Sequence, residues 1–258
     1  MTKQKDNAQA VKIEQAPAIK ASTDIAIPEH VADPGWGAVE GLETTDLQVP
    51  KIFHQQALSK FVSEGVARPG DFCDSLTGEV LCKKEDKLEV IVFGSYKNMI
   101  VKELDPTSKQ WKLKEIILVT LDNAKELASK PRHEATSFGE NLSYEMQYNY
   151  YCLLPSRINE LPFILSLGGT KVRAAKTLNT MFYKLSSLRR PGASVVFTLE
   201  STPEKNEKGS WFGLKISQGR DSSAAELLRA HAWYQKSKSQ KITAVEDDAQ
   251  DENDDVPF

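Results

Sequence analysis

The chain has 258 residues, with 33 basic and 36 acidic side chains and a formal net charge of −3. No stretch approaches the roughly 18 apolar residues needed to cross a bilayer, and the N-terminus lacks the apolar core of a signal peptide. The cysteines Cys73, Cys82 and Cys152 form no C-x-x-C pair and have no histidine at ligand spacing, so the sequence indicates neither a disulfide framework nor a zinc site. We therefore expect a cytoplasmic protein.

The first 33 residues mix Lys, Gln, Ala and Asp with prolines, a composition typical of a flexible leader. We expect one domain over residues 34–240 and a disordered tail over residues 241–258. Near the start of the domain, residues 46–52 begin like a strand and residues 55–65 favour a short helix ended by glycine. Thr77 and Gly78 stand between apolar residues like the bend of a hairpin.

Strands dominate the centre of the domain, separated by turns such as those at residues 105–109 and 203–209. The predicted strands are Leu88–Phe93, Lys97–Glu103, Trp111–Val119, Tyr148–Leu154, Phe163–Leu167, Ala193–Ser201 and Trp211–Ser217. One helix is predicted over Lys171–Leu188. A second is predicted from about Ser222 to Lys236, with Ser222 or Ser223 as its N-cap and Glu226 in its first turn.

This element order predicts a mainly β fold with one or two helices. Five or more short strands interrupted by one helix are typical of an oligonucleotide/oligosaccharide-binding barrel (OB-fold), in which the helix closes one end of the sheet. We therefore expect an OB-fold-like barrel with extensions. A sandwich with one crossing helix fits the same order and stays open as the alternative.

Aromatic residues and lysines interleave on the outward registers of these strands. In Trp211–Ser217, the alternate residues Phe212, Leu214 and Ile216 make a plausible core face, which leaves Trp211 and Lys215 outside. Single-stranded DNA is bound by cations that contact phosphates and by aromatic rings on which bases stack. Tyr96 and Trp211 are the first choices for stacking, although each could instead cover the core. The predicted DNA-binding residues of the strands and their turns are Tyr96, Lys97, Lys102, Trp111, Lys112, Lys114, Tyr148, Tyr150, Lys205, Lys208, Trp211 and Lys215.

The first predicted helix separates into an apolar and a basic side. Ala175, Leu178, Met181, Phe182 and Leu185 cluster on one side. The opposite side carries the further predicted DNA contacts Arg173, Lys176 and Lys184, followed by Arg189 and Arg190 in the next turn. An ordinary solvated helix face is the alternative interpretation.

Motifs for catalysis are missing from the sequence, which has no phosphate-binding loop, no nucleophile elbow and no H-E-x-x-H. Asp71, Asp74 and Glu79 could suggest a nuclease metal site, but their spacing is ordinary turn chemistry. We therefore predict that the protein is not an enzyme and needs neither a cofactor nor a metal.

The last residues, from Glu246 onward, hold seven carboxylates and no Lys or Arg, so residues 1–245 carry 33 basic and 29 acidic groups, or +4. A basic body with an acidic tail is the charge asymmetry expected of a nucleic-acid binder. The chain ends in Asp254, Asp255, Val256, Pro257 and Phe258, which suit capture in a small apolar pocket rimmed by cations. A purely solubilising tail is the alternative.

This D-D-V-P-F terminus resembles the C-terminal tip of bacterial single-stranded-DNA-binding proteins and their phage analogues. The stretches D-L-Q-V-P-K-I (46–52), P-G-D-F-C-D-S-L-T-G-E-V (69–80) and L-P-F-I-L-S-L-G-G-T-K-V-R-A-A-K (161–176) resemble tailed-bacteriophage proteins of this kind. The chain departs from the bacterial proteins in its long leader and in lacking a Gly/Gln-rich linker. Bacterial-style tetramers are therefore not implied, and self-association stays open.

The resemblance implies a protein that coats and protects single-stranded DNA during phage DNA replication, recombination and repair. It would recruit polymerase, primase or helicase through the five terminal residues and would act in the cytoplasm of the host cell. A strand-annealing recombination protein is the nearest alternative. An interaction protein that uses the tail to bind host replication factors without touching DNA is an alternative of another class.

Overall fold

The computed structural model describes residues 48–207 and 209–239. The chain divides into a unit of residues 1–42 and a unit of residues 43–258, and the described residues belong to the second. The predicted leader (1–33), the predicted tail (241–258) and Lys208 lie outside the described residues. In the described part, no helix is both long and apolar enough to cross a membrane.

The described residues contain ten strands and four α-helices, besides three short 3-10 helices. The strands are β1 (Ile52–His54), β2 (Phe72–Asp74), β3 (Val80–Cys82), β4 (Lys87–Leu104), β5 (Trp111–Leu118), β6 (His133–Ala135), β7 (Asn141–Leu153), β8 (Phe163–Leu167), β9 (Val195–Asn206) and β10 (Gly209–Asp221). The helices are α1 (Lys60–Ser63), α2 (Ala124–Ser129), α3 (Val172–Ser187) and α4 (Ala224–Ser239).

The strands form two antiparallel sheets. A small sheet has the order β1-β2-β3, and a larger one has the order β10-β9-β4-β7-β6, with β5 paired to β4 and β8 paired to β7. The larger sheet curls into a half-barrel. The prediction of a mainly β, barrel-like fold with helices is therefore confirmed.

β4 is one continuous strand of 18 residues, where the sequence predicted two strands. Residues 87–90 of β4 pair with β9, and residues 91–103 pair with β7. Residues 98–104 also pair with β5 on the other edge of β4. The pairing with β7 shifts between Val92 and Gly94. A Cβ on Gly94 would come within 3.2 Å of the Tyr151 ring. Glycine avoids this close contact at the shift in pairing, so β4 continues through it as one strand.

The two long helices cover opposite faces of the sheet. Leu178 and Leu185 of α3 belong to the main core, together with Tyr150 of β7 and Phe197 of β9. Ala230 and Trp233 of α4 pack in a second cluster with Ile91, Val196 and others. At the start of α4, Ser223 and Glu226 exchange hydrogen bonds between side chain and backbone, a capping box that confirms the predicted helix start.

Several predicted boundaries were wrong. β7 begins at Asn141 rather than at Tyr148, and both α2 and β6 were missed. β9 extends to Asn206, so most of the lysine-rich turn predicted at residues 203–209 is strand. The predicted hairpin bend is confirmed, since Gly78 has a φ of 73° and Asp74 N–H donates to the Glu79 carbonyl.

Candidate nucleic-acid interface

The exposed face of α3 carries cations that no described carboxylate neutralises. The helix is amphipathic, and its buried residues Ala174, Ala175, Leu178 and Leu185 hold it on the sheet. Arg173, Lys176 and Lys184 project on the opposite side and are exposed. None of the three forms an ion pair with another described residue. The structure therefore places these predicted residues together on one accessible surface, which we call the α3 face.

The α3 face lies in a part of the chain without acidic residues. From Leu161 to Leu199 there are six basic residues and no Asp or Glu. The segment that spans residues 98–146 has seven basic and eight acidic residues, a net charge of −1. Affinity for phosphates depends on local charge. The α3 face is therefore a stronger candidate for contact with nucleic acid than the segment of residues 98–146.

An aromatic ring that the sequence analysis missed adds to the α3 face. Tyr183 is 78% exposed, and a helical turn of 100° per residue places it on the same side as Lys176, seven residues earlier. Its position on the basic side could have been found from this spacing alone. An exposed ring beside cations provides a surface on which a base can stack.

The two arginines that follow α3 differ in their ion pairing. Arg189 is exposed and has a φ of 56°, and it has no ion pair among the described residues. Arg190 donates to Asp221 Oδ1 at 2.6 Å and to the backbone oxygen of Ser194. Arg190 therefore ties the end of α3 to β10 and contributes little free charge.

Among the predicted strand residues that the structure describes, Lys97 and Tyr148 form the one pair that combines a ring with a cation without an ion pair. They face each other in the ladder between β4 and β7, and the Lys97 Nζ lies 5.3 Å from the ring centroid of Tyr148. Lys97 is exposed and Tyr148 is half-buried. Tyr148 also pairs with Leu167, the last residue of β8, which directly precedes the segment that leads into α3.

The prediction that Tyr150 contacts DNA is wrong, because the residue is buried. It is 1% exposed, and its hydroxyl donates to Asn179 Oδ1 at 2.9 Å. Burial raises the pKa of this hydroxyl well above its usual range. The ring points to the same side of β7 as Tyr148, but α3 covers it, so no base can reach it.

The three predicted lysines at the far end of β4 and on β5 are already paired with carboxylates. Lys102 contacts Glu145 at 3.6 Å, and Lys112 contacts Asp105 at 2.5 Å. Lys114 lies 3.4 Å from both Glu103 and Glu140. These lysines do not present free charge, because the strands that bring them together also bring their partners.

The other predicted aromatics are partly covered by neighbouring rings or by the sheet. The Tyr96 ring lies 5.3 Å from that of Tyr151, on the face opposite Tyr148, and Trp111 packs 5.5 Å from His133. Trp211 is half-buried, and its Nε1 is buried without a hydrogen-bond partner among the described residues. All three rings are less accessible than their predicted role in base stacking requires.

The hairpin of β9 and β10 keeps its predicted register. Leu214 and Ile216 face the main core, which leaves Trp211 and Lys215 on the outer side. Lys215 is paired with Glu200 at 3.3 Å, while Lys205 is exposed near the hairpin end. Lys208 and the five terminal residues Asp254 to Phe258 lie outside the described residues.

Within residues 48–207 and 209–239, no three His, Cys, Asp or Glu side chains come together in a way that could hold a metal ion. Asp71 and Asp74 instead organise turns. Asp71 accepts hydrogen bonds from the backbone of Arg68 and Lys84, and Asp74 accepts them from Leu76 and Thr77.

Comparisons with known proteins place most of the chain in one family. The model of a family described as Pam3 phage gp34-like protein matches residues 20–243. This range contains all the described residues. Comparisons with curated proteins and with solved structures found no match.

Proposed function

The chain belongs to the Pam3 phage gp34-like family, and from this premise we propose that it is a phage single-stranded-DNA-binding protein. It coats and protects single strands during DNA replication and recombination. It also recruits replication proteins of the host or the phage through its acidic C-terminal residues. In this proposal it works in the host cytoplasm as a binding protein and not as an enzyme.

The observation that carries this proposal is the α3 face. Arg173, Lys176 and Lys184 repeat along one side of the helix, over about 16 Å at 1.5 Å per residue. Tyr183 adds an exposed ring to this row. Cations that contact phosphates, next to rings that stack on bases, are what binding without sequence preference needs.

A preference for single strands follows from the position of Lys97 and Tyr148. These residues lie within the ladder of β4 and β7 rather than on a projecting loop. A base must leave its own stack to reach a ring held in a sheet, which is easy for a single strand and costly for a duplex. The proposal therefore predicts weaker binding to duplex DNA.

The test is a salt titration of the full-length protein with labelled oligo-dT and with duplex DNA of the same length. Four phosphate contacts, from the three cations of the α3 face and Arg189, should make log K fall with log [salt] with a slope of about −3. The single strand should bind more tightly at every salt concentration. If neither DNA binds, the protein is better described as an interaction protein that acts through its tail.

A further inference from the structure

A cavity of about 480 Å³ lies beside α4. Its wall is mainly apolar and includes Leu76, Leu161, Phe163 and Trp233. Leu76 and Leu161 are 44% and 42% exposed, so solvent reaches this wall. A cavity of this size with an apolar lining is typical of sites that receive a ligand or the side chains of a peptide.

Positive charge flanks the apolar wall. The guanidinium of Arg229 lies 5.5 Å from the ring centroid of Trp233, and the Nζ of Lys236 lies 4.8 Å from it. Arg229 is itself part of the wall and forms no ion pair with another described residue. The cavity therefore offers an apolar surface next to a cation that can still accept a carboxylate as its partner.

The two carboxylates on the wall are already engaged elsewhere. Asp74 accepts hydrogen bonds from the backbone of Leu76 and Thr77, and Glu160 lies 3.7 Å from Arg157. Neither forms an ion pair with Arg229 in the described part of the chain. An occupant that brings its own carboxylates therefore finds a cation available.

The chain itself contains a segment with this chemistry. α4 is the last described element, and residues 227–245 include four Lys or Arg and no Asp or Glu, whereas residues 246–258 carry seven carboxylates. Opposite charges on neighbouring segments attract each other. Residues 254–258, which we call the tip, combine two aspartates with the apolar side chains of Val256 and Phe258. These are the groups that the cavity wall can bind.

The tip is also close enough to reach the cavity of its own chain. From Trp233 to Ser239 the helix advances by about 9 Å, at 1.5 Å per residue. Residues 240–253 span up to roughly 45 Å when they are extended, which is ample for a return. A short tether gives the tip an effective concentration on the order of mM, so even weak contacts keep the cavity occupied.

We propose that the tip docks in the cavity beside α4 of its own chain, with the Phe258 ring on the apolar wall and an aspartate at Arg229. This inference goes beyond the proposed function, because it holds whether or not the protein binds DNA. α3 and α4 cover opposite faces of the sheet, so a docked tip leaves the α3 face open. A replication protein that binds Phe258 must first displace the tip from the cavity.

The test uses ¹⁹F NMR of the full-length protein labelled with fluorotryptophan, in which Trp233→Phe assigns the resonance of Trp233. Deletion of residues 254–258 should shift this resonance, because the Phe258 ring leaves the wall, and should not move that of Trp111 on β5. A synthetic peptide of residues 246–258 should restore the resonance in the shortened protein, whereas the same peptide with Phe258→Ala should not. A Trp233 resonance that neither the deletion nor the peptide changes would overturn the inference.

A matched pair of substitutions locates the docking site. Leu161→Glu adds a negative charge on the cavity wall, and Leu121→Glu adds one at a leucine between β5 and α2 that is 97% exposed. With Leu161→Glu, the full-length and shortened chains should have the same Trp233 resonance, because the carboxylate repels the tip. Leu121→Glu should keep the difference between the two chains. If the difference survives in Leu161→Glu, the tip docks elsewhere and the inference fails.

Dilution separates docking within one chain from docking between two chains. A tethered tip stays bound at every protein concentration, so the difference in the Trp233 resonance should not depend on concentration. Its loss on dilution would overturn docking within the chain and assign the cavity to the tip of a second copy. No DNA is present in these measurements, so a negative result leaves the proposed DNA binding standing.

Discussion

Tyr148 and Tyr150 lie two residues apart on the same side of β7, yet α3 buries only Tyr150, whose hydroxyl donates to Asn179. Tyr148 stays half-buried beside Lys97. Tyr150 therefore lies inside the main core, whereas Tyr148 packs at the edge of that core and stays partly exposed.

We expect Tyr148→Leu to weaken oligo-dT binding by about 1–3 kcal/mol, because leucine keeps apolar bulk but offers no ring for stacking. Fluorescence anisotropy at fixed salt measures this. Tyr150→Phe is the matched control: it should lower the free energy of unfolding by about 1 kcal/mol and leave DNA affinity unchanged. Equal losses of affinity in both variants would refute the assignment of Tyr148.

The α3 face predicts a change in salt dependence. Replacing Arg173, Lys176 and Lys184 by Gln should leave the fold intact, because the buried side of α3 is untouched, and should make the salt slope shallower by about 2. The control replaces the exposed Lys83, Lys109 and Lys125 by Gln, an identical change in net charge at three lysines that lie outside the α3 face and have no ion pair among the described residues. If both triple variants change the slope equally, only net charge matters and the α3 face is an ordinary solvated surface.

The C-terminal residues predict a separation of two effects. Deletion of Phe258 removes the apolar anchor and hardly changes the charge, so binding to polymerase, primase or helicase should be lost while DNA affinity stays constant. Deletion of residues 246–258 removes seven carboxylates, so DNA affinity should rise, most strongly at low salt. Biolayer interferometry with each replication protein and anisotropy with oligo-dT measure the two effects. Equal effects of both deletions on DNA binding would support a merely solubilising tail.

The capping box of α4 predicts a dependence of stability on pH. Hydrogen bonds from the Arg220 guanidinium, at 2.7 and 2.9 Å, and from the backbone of Ser223 lower the pKa of Glu226 to about 2. The folded pKa is below the unfolded value of about 4.3, so this carboxylate stabilises the fold above that pH and loses its effect as the pH falls towards 2.

Glu226→Gln should therefore lower the midpoint of thermal unfolding at pH 7, and the difference from wild type should shrink below about pH 4. Glu115→Gln is the control, since Glu115 is exposed and has no ion pair in the described part of the chain. A difference that stays constant from pH 7 to pH 2 would show that the carboxylate charge is not involved.

Much of the fold could be predicted from local patterns. The alternation in β10 correctly assigned Leu214 and Ile216 to the core, and the spacing in α3 correctly separated its buried and basic sides. These patterns repeat every two residues or every 3.6 residues, so a single element reveals them.

Pairing between distant residues could not be predicted in the same way. Lys114 meets Glu140 only because β5 and β7 both flank β4, and Tyr150 is buried only because α3 crosses it. Burial and charge neutralisation are tertiary effects, whereas residue spacing is local.

The division of β4 between its partners also affects the order in which the protein can assemble on the ribosome. Lys87–Val90 pair with Phe197–Glu200, which are synthesised more than 100 residues later, or roughly 5–20 s at ordinary rates of translation. During that time the first part of the strand has an open edge that is prone to pairing with other chains. Fragments that end before β9 should therefore aggregate, and successful production of this protein depends on completion of the nascent chain as far as β9.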